Sequence, residues 1–347
     1  MKNIYGIKRS DLEEYFLSIG EKKFKALQVY AWLYLKRVDS IDRMTNIKKE
    51  IQDKLKTDFS MEMIKVAQVQ HDTDAHKYLF LLKDHNYIEA VLMEHDYGLS
   101  VCVSSEVGCN MGCKFCESGR RKKVRNLEAY EMVEQILLIE KDIGKRISSI
   151  VVMGIGEPFD NYVNLMDFIR IINDPKGISI GARHITVSTC GLVPKIYEFS
   201  KEDLQVNLAL SLHAPNDEIR NQIMPINKAY NISEVIKAIK DYIKETNRRV
   251  TIEYVMLEGV NDSKECAVEL SKLLKGLNVY VNMIPYNETN HLEFSQSNKK
   301  KIDEFYDTLV KNKINVTVRR RFGSNIDAAC GQLRSKEEEK NENILFN

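Results

Sequence analysis

Cys109, Cys113 and Cys116 lie in the run Cys-Asn-Met-Gly-Cys-Lys-Phe-Cys, a C-x3-C-x2-C spacing. Three thiolates that close along a chain can hold three corners of a four-iron cluster. Such a centre ordinarily takes four cysteines, so the fourth iron stays open to another ligand. Two other readings compete. Buried structural cysteines are the plainest, but three of them within eight residues on a glycine-containing loop speak against it. A structural zinc also takes clustered cysteines, yet it needs a fourth ligand, typically from a second C-x2-C or an H-x3-H pair. The sequence has neither.

Other candidate groups are silent one by one. Gly154-Ile155-Gly156-Glu157-Pro158 ends an apolar run. Its glycines let backbone approach a ligand closely, and Glu157 could accept hydrogen bonds from an amino group. The run lacks G-x-G-x-x-G spacing, so it is no dinucleotide fingerprint, and an ordinary strand-to-loop turn explains it equally well. Ser211-Leu212-His213 has the same status. Cys102 and Cys330 say nothing alone, nor does Glu89, a carboxylate in an apolar strand where carboxylates are unusual.

The elements that must position these residues follow from periodicity. Residues 1 to about 75 read as helical and basic, without strand-like alternation. Tyr78–Leu82 and Tyr87–Met93 form a hairpin about Asp84-His85-Asn86. From Ser100 onward, short β-branched runs alternate with helices. Strands are expected at Val101–Ser104, Ser149–Met153, His184–Ser188, Val206–Leu212, Val250–Met256, Val279–Ile284 and Asn315–Arg319. Helices are expected at Leu127–Lys141, Val163–Ile172, Ile232–Glu245, Ser263–Leu274 and Asn298–Lys311. This alternation means an α/β fold with a parallel sheet, open or curled into a barrel, whose functional groups lie at the carboxyl ends of strands. The tail Lys336–Lys340 reads as a solvated end.

With 347 residues, 44% hydrophobic and 29% charged, the chain has the composition of a soluble globular protein with a substantial core. A net charge of +1 does not advertise nucleic acid. Two local clusters do: Arg120, Arg121, Lys122, Lys123 and Arg125 beside the cysteines, and Arg319–Arg321 near the end. A charge run is ordinarily a solvated face, but basic groups flanking a reactive centre favour phosphate contacts. The sequence shows no signal peptide or membrane span, and seven unevenly spaced cysteines do not form a secreted disulfide framework. The expected compartment is the reducing cytoplasm.

Taken together, these residues resemble the radical S-adenosylmethionine enzymes, and within them the RlmN/Cfr family of RNA adenine methyltransferases. The superfamily likeness rests on the three cysteines with Phe115 before the last, and on Gly154–Pro158. The family likeness rests on Val101 to Gly108, Ser211-Leu212-His213-Ala214-Pro215-Asn216, Met224-Pro225-Ile226-Asn227, Val255-Met256-Leu257 with Val260-Asn261-Asp262, and Asp327–Leu333. They span roughly residues 87 to 333.

The resemblance implies a partial (β/α)6 radical SAM barrel with a small N-terminal helical accessory domain. The division would be an RNA-contacting domain over 1–75, a β-hairpin connector over 76–94, the core with a C-terminal cysteine loop over 95–333, and a tail over 334–347. It implies one [4Fe-4S] cluster per chain on Cys109, Cys113 and Cys116, its open iron chelated by S-adenosylmethionine, two molecules of which are consumed per turnover. S-adenosylmethionine contacts would come from Gly156, Glu157, Ser188, Ser211, Leu212, His213 and Asn287. Cys330 matches the cysteine that is itself methylated, Cys102 its resolving partner through a transient disulfide, and Glu89 the proton acceptor.

An adenine ring carbon is not nucleophilic towards a sulfonium methyl, whereas a thiolate is, which is why such a relay is needed. The words Gly-Glu-Pro and Ser-Leu-His-Ala-Pro-Asn favour adenine C2 over the C8 position that Cfr-like resistance enzymes methylate. The implied partners are 23S rRNA near the peptidyl transferase centre, tRNA beside the anticodon, and an electron donor such as flavodoxin or ferredoxin, with no membrane and a monomeric chain. A rival of another class is a non-catalytic, metal-stabilised RNA-binding protein. The chain departs from the family at Glu117, where a small residue is usual, at Glu106 for glutamine and at Asn325 for aspartate. Ser118–Arg125 is also unusually basic. Two extra carboxylates beside an anionic cluster would shift its potential.

Overall fold

The computed structural model describes residues 1–337 except Arg121, Asn290, Arg321, Ser324, Asn325 and Asp327–Cys330. Among the described residues, ten strands form one sheet: β1 Lys65–His71, β2 Ala75–Leu81, β3 Tyr87–His95, β4 Gly98–Cys102, β5 Ser149–Val152, β6 Ile185–Thr189, β7 Asn207–Ser211, β8 Val250–Met256, β9 Val279–Pro285 and β10 Val316–Val318. Their spatial order is their chain order. Strands β1 to β4 pair antiparallel, and β4 to β10 pair parallel.

Sequential order decides between the two parallel architectures. Crossovers are right-handed, so strands laid down in order put their connecting helices on one face, and the sheet curls around the other. The alternation of side chains records this. Val101, Val187, Leu208, Leu210, Ile252, Tyr254, Val281 and Met283 pack in the main core. Their neighbours Cys102, Ser188, Ser211, Glu253 and Val255 line a cavity. With period two, each strand serves the core with one set of residues and the cavity with the other.

Ten helices of seven residues or more are described: α1 Arg9–Ser18, α2 Phe24–Tyr34, α3 Lys49–Asp58, α4 Ala129–Ile143, α5 Tyr162–Asn173, α6 Val193–Phe199, α7 Asp217–Ile223, α8 Ile232–Thr246, α9 Lys264–Leu274 and α10 Lys299–Lys311. Capping fixes several of their starts. Asn231 accepts from the Glu234 amide while Glu234 returns a bond to the Asn231 amide, a capping box for α8. Asn216 and Asn298 cap α7 and α10.

Three findings correct the sequence expectations. The span read as wholly helical contains β1, because Lys65–His71 alternates too weakly in polarity to be legible and is held by its pairing with β2. Helices α6 and α7 are seven residues each, too short for a periodicity reading. The start of the tail expected from 334 is structured, since Arg334 and Ser335 are buried and residues 332–337 are helical. The α1–α3 region is joined to the barrel by polar contacts as well as by the shared core. Buried Glu134 on α4 accepts from the Ile64 amide at 2.9 Å and from Asn3 at 3.2 Å, and Lys8 meets Asp167 at 2.6 Å.

Candidate active site

The three cysteines sit on the loop that leaves β4. A short pair of strands, Glu106–Val107 against Arg125–Asn126, closes that loop at its base. The Cys116 amide donates to the Cys113 carbonyl at 3.1 Å, and the Lys114 amide to the Ile223 carbonyl at the end of α7 at 2.9 Å. All three thiols face one cavity, which Cys102, Gly156, Glu157, Ser188, Ser211, His213 and Asn287 also line. The sheet thus gathers residues up to 185 positions apart in the chain.

The donor set fits an iron–sulfur cluster. Burial pushes the Cys109 thiol up to about 12 and the Cys113 thiol well above its ordinary value, and the neighbouring thiols push each further. Thiols so placed stay protonated unless a cation compensates them, and metal coordination deprotonates a thiol outright. Among the described residues no three His, Cys, Asp or Glu side chains gather tightly enough for a single metal ion. A cluster makes no such demand, since each thiolate binds its own iron.

The opposite wall carries polar groups in fixed states. His213 has φ +57°, a conformation strained for a side-chain-bearing residue. It is locked there: its Nδ1 accepts from the Val255 amide at 3.1 Å, and its carbonyl accepts from Asn261 at 2.8 Å. Burial, then the Arg220 charge, lowers its pKa to about 3, so the ring is neutral and Nε2 carries the proton. Phe115 of the cysteine loop meets that ring edge-on at 5.0 Å. The Ser188 and Ser211 hydroxyls lie 3.2 Å apart.

Glu157 is buried and accepts from the Cys190 amide at 2.8 Å and the Phe159 amide at 3.2 Å. Burial raises its pKa. Thr189 and Cys190 side chains also bond this carboxylate, which fixes its orientation at the cavity wall. Gly156, at φ +109°, must be glycine: a Cβ would sit 2.6 Å from the Glu106 side chain.

Leu212 differs from the other expected contacts. Its side chain is fully buried in the core face of the sheet, so only its backbone stands at the strand end. Glu89 lies on the cavity-facing side of β3 but outside the cavity lining. Its Oε2 accepts from the Gly331 amide at 2.7 Å, its Oε1 from the Arg334 amide at 2.5 Å, and Lys77 lies 3.0 Å away. Cys330 and Asn325 lie outside the described residues.

The two extra carboxylates bring their own cations. Glu106 Oε1 meets Lys123 at 2.6 Å, and Glu117 Oε1 meets Arg120 at 2.5 Å. Burial raises the Glu106 carboxyl to about 7 even so. For Glu117, burial pushes upward, but Arg120 and Ser335 outweigh it and hold the group below its ordinary value. The basic run is therefore largely consumed inside the protein, for Arg125 also pairs with Asp84 and Glu131. This narrows the expectation of a phosphate-binding cluster: among its described members, Lys122 is the exposed one outside these ion pairs.

Lys77 and Glu253 are not among the expected site residues, and Arg319, expected only as part of a basic cluster, lines the cavity. Glu253, buried on β8 and lining the cavity, carries the signal that marked Glu89: one carboxylate in an apolar strand. Burial lifts it to about 7 despite Arg319 and a 2.8 Å bond from Asn282.

Comparison with known proteins agrees with this geometry. Residues 103–270 match the radical SAM superfamily, and residues 2–61 match the ribosomal RNA large subunit methyltransferase N-terminal domain. The chain is 54% identical to a probable dual-specificity RNA methyltransferase RlmN of Enterococcus faecalis, over 98% of each chain. It is 52% identical to one of Spiroplasma citri, over 97% of this chain and 99% of that one. The crystal structure of a radical SAM methyltransferase from Sphaerobacter thermophilus superposes with a TM-score of 0.90 at 40% identity, covering 96% of this chain and 99% of that one. A family likeness read from scattered words thus extends over nearly the whole length, and the chain belongs to the RlmN family of radical SAM RNA methyltransferases.

Proposed function

We propose that this protein methylates C2 of adenine in 23S rRNA at the peptidyl transferase centre, and in tRNA next to the anticodon, through a methyl group carried on Cys330. The observation that carries the reading is the joint placement of Cys109, Cys113, Cys116, Cys102 and the S-adenosylmethionine-type wall on one cavity. That the relatives are described as probable dual-specificity RNA methyltransferases supports two RNA substrates.

Cys109, Cys113 and Cys116 would hold a [4Fe-4S] cluster, one per chain, and Gly156, Glu157, Ser188, Ser211, His213 and Asn287 would hold S-adenosylmethionine. The bound pair supplies one-electron chemistry that a protein side chain cannot. The chain's own residues do the rest. Cys330 takes a methyl as a nucleophile, Glu89 accepts the ring proton, and Cys102 attacks the Cys330 sulfur to free the product, leaving a disulfide that must be reduced before the next turnover. Two S-adenosylmethionine molecules are used, one as methyl donor and one as radical source. Residues 1–75 form the RNA-contacting domain, 76–94 the connector and 95–333 the core. The protein works in the cytoplasm as a monomer, with flavodoxin or ferredoxin as electron donor. No described helix is long and apolar enough to cross a membrane.

Mass spectrometry of nucleosides from RNA treated with the reconstituted protein tests this. 2-Methyladenosine is expected in both RNAs. 8-Methyladenosine would replace the C2 assignment with the C8 one, and Cys330→Ala that still turns over would end the methyl-cysteine route.

A further inference from the structure

Lys77 is fully buried on β2, where an unpartnered ammonium is very costly. Cross-strand register explains what it faces. Lys77 pairs with Val91 on β3, and Val91 pairs with Cys102 on β4, so the three form one row on the cavity-facing side of the sheet. Glu89 is two residues from Val91 on the same face, and its Oε2 lies 3.0 Å from the Lys77 Nζ. The two oxygens of Glu89 are used unequally. Among the described residues, Oε2 takes both Lys77 and the Gly331 amide, whereas Oε1 takes only the Arg334 amide. With one donor, Oε1 retains a lone pair to accept a proton.

A second contact fixes the same turn. Gly331 has φ +84°, and a Cβ there would meet the Ser118 amide nitrogen at 3.0 Å. The turn that follows Cys330 in sequence is thus pressed against the cysteine loop on one side and hung from Glu89 on the other.

We propose that Lys77 is a positioning residue for the proton-accepting step. It holds Oε2 of Glu89, which leaves Oε1 as the accepting atom. This rests on the methyl-cysteine reading of the function above. Methylation of Cys330 needs no acceptor for an adenine proton, so loss of Lys77 is expected to separate the two half-reactions.

The test uses the full chain with its cluster reconstituted anaerobically, S-adenosylmethionine, and an unmodified 23S rRNA transcript. Methylation of Cys330 is read by intact-protein mass, and single-turnover transfer by nucleoside mass spectrometry. Lys77→Met is expected to gain the Cys330 methyl within about threefold of the wild-type rate but to transfer it to RNA at least thirtyfold more slowly. Lys77→Arg, which keeps the charge, is expected to restore transfer to within about fivefold of wild type. Wild-type transfer by Lys77→Met, or equal loss of both steps in a protein with a native thermal melt, overturns the proposal. Should Lys77→Met fail to fold, Lys77→Arg decides: transfer within fivefold supports the assignment, and a thirtyfold loss overturns it. A wild-type protein that never acquires a methyl on Cys330 would sink the functional reading instead.

Discussion

Glu106 and Lys123 form an ion pair at 2.6 Å beneath the cysteine loop. Glu106 is fully buried and also accepts from the Glu157 amide at 2.9 Å, so it props the turn that carries Glu157. Lys123 is shared with Asp160 at 2.7 Å. The added charge therefore arrives compensated, which opposes the shift in cluster potential expected from carboxylates alone.

Removing one partner should cost more than removing both. Lys123→Met leaves Glu106 buried without its cation and should lower stability by about 3 kcal/mol. Glu106→Gln with Lys123→Met should recover most of that, because the neutral amide still fills the space. Urea unfolding of the two variants and of each single change gives the coupling energy.

Gly156→Ala meets two obstacles, a positive φ and a Cβ contact at 2.6 Å with Glu106. A loss of about 2 kcal/mol in stability is expected. S-adenosylmethionine affinity should fall at least tenfold, measured by calorimetry on the reconstituted protein. Unchanged affinity would remove Gly156 from the binding wall.

Two buried groups give opposite pH signatures. His213 titrates near 3 when folded, below its unfolded value, so the unfolded chain binds the extra proton. Its contribution is present above about pH 6.5 and is lost as pH falls towards 3. Glu253 titrates near 7 when folded, above its unfolded value, so the folded chain holds the extra proton and stability is lost as pH rises from about 4.5 through 7. Glu253→Gln should gain on the order of 2 kcal/mol over wild type at pH 8 and little at pH 4. His213→Gln should flatten the acid side instead. Melting temperatures of both variants across pH 4–8 check the two signs together.

Glu117→Ser, the kind of small residue usual in the family, removes the acceptor that Ser335 reaches at 3.0 Å and His291 at 3.2 Å. The 331–337 turn should then exchange its amide hydrogens about tenfold faster, a change of about 1.4 kcal/mol in local opening. Hydrogen-exchange mass spectrometry resolves this segment from the rest. Iron content should not change, because Glu117 is no ligand in the proposed cluster.

Much of the architecture was legible because the strands from Ser149 onward have strong β-branched runs and sharp helix caps. Val250–Met256 matches its expected bounds residue for residue, and Ile232–Thr246 differs from its expectation by one. The failures have a common cause. Lys65–His71 is an edge strand whose register comes from β2, and α6 and α7 are helices of about two turns each, defined by what they pack on. The cysteine spacing was readable because its ligands are local in sequence.

The sequence alone determined the chemistry available: three clustered thiols, two distant ones, a carboxylate in an apolar strand, and an α/β alternation that puts the clustered thiols just beyond a strand end. Only the tertiary structure decided how these are wired. Whether the basic run is free for phosphate or spent on Glu106, Glu117 and Glu131 depends on neighbours up to 17 positions away in the chain. That Lys77 serves Glu89 depends on hairpin register, and that Glu89 holds the 331–334 turn depends on a contact across 242 residues. Residue types carry reactivity in themselves; which group is charged, paired or aimed is set by burial and partners, and those exist only once the sheet has closed around its cavity.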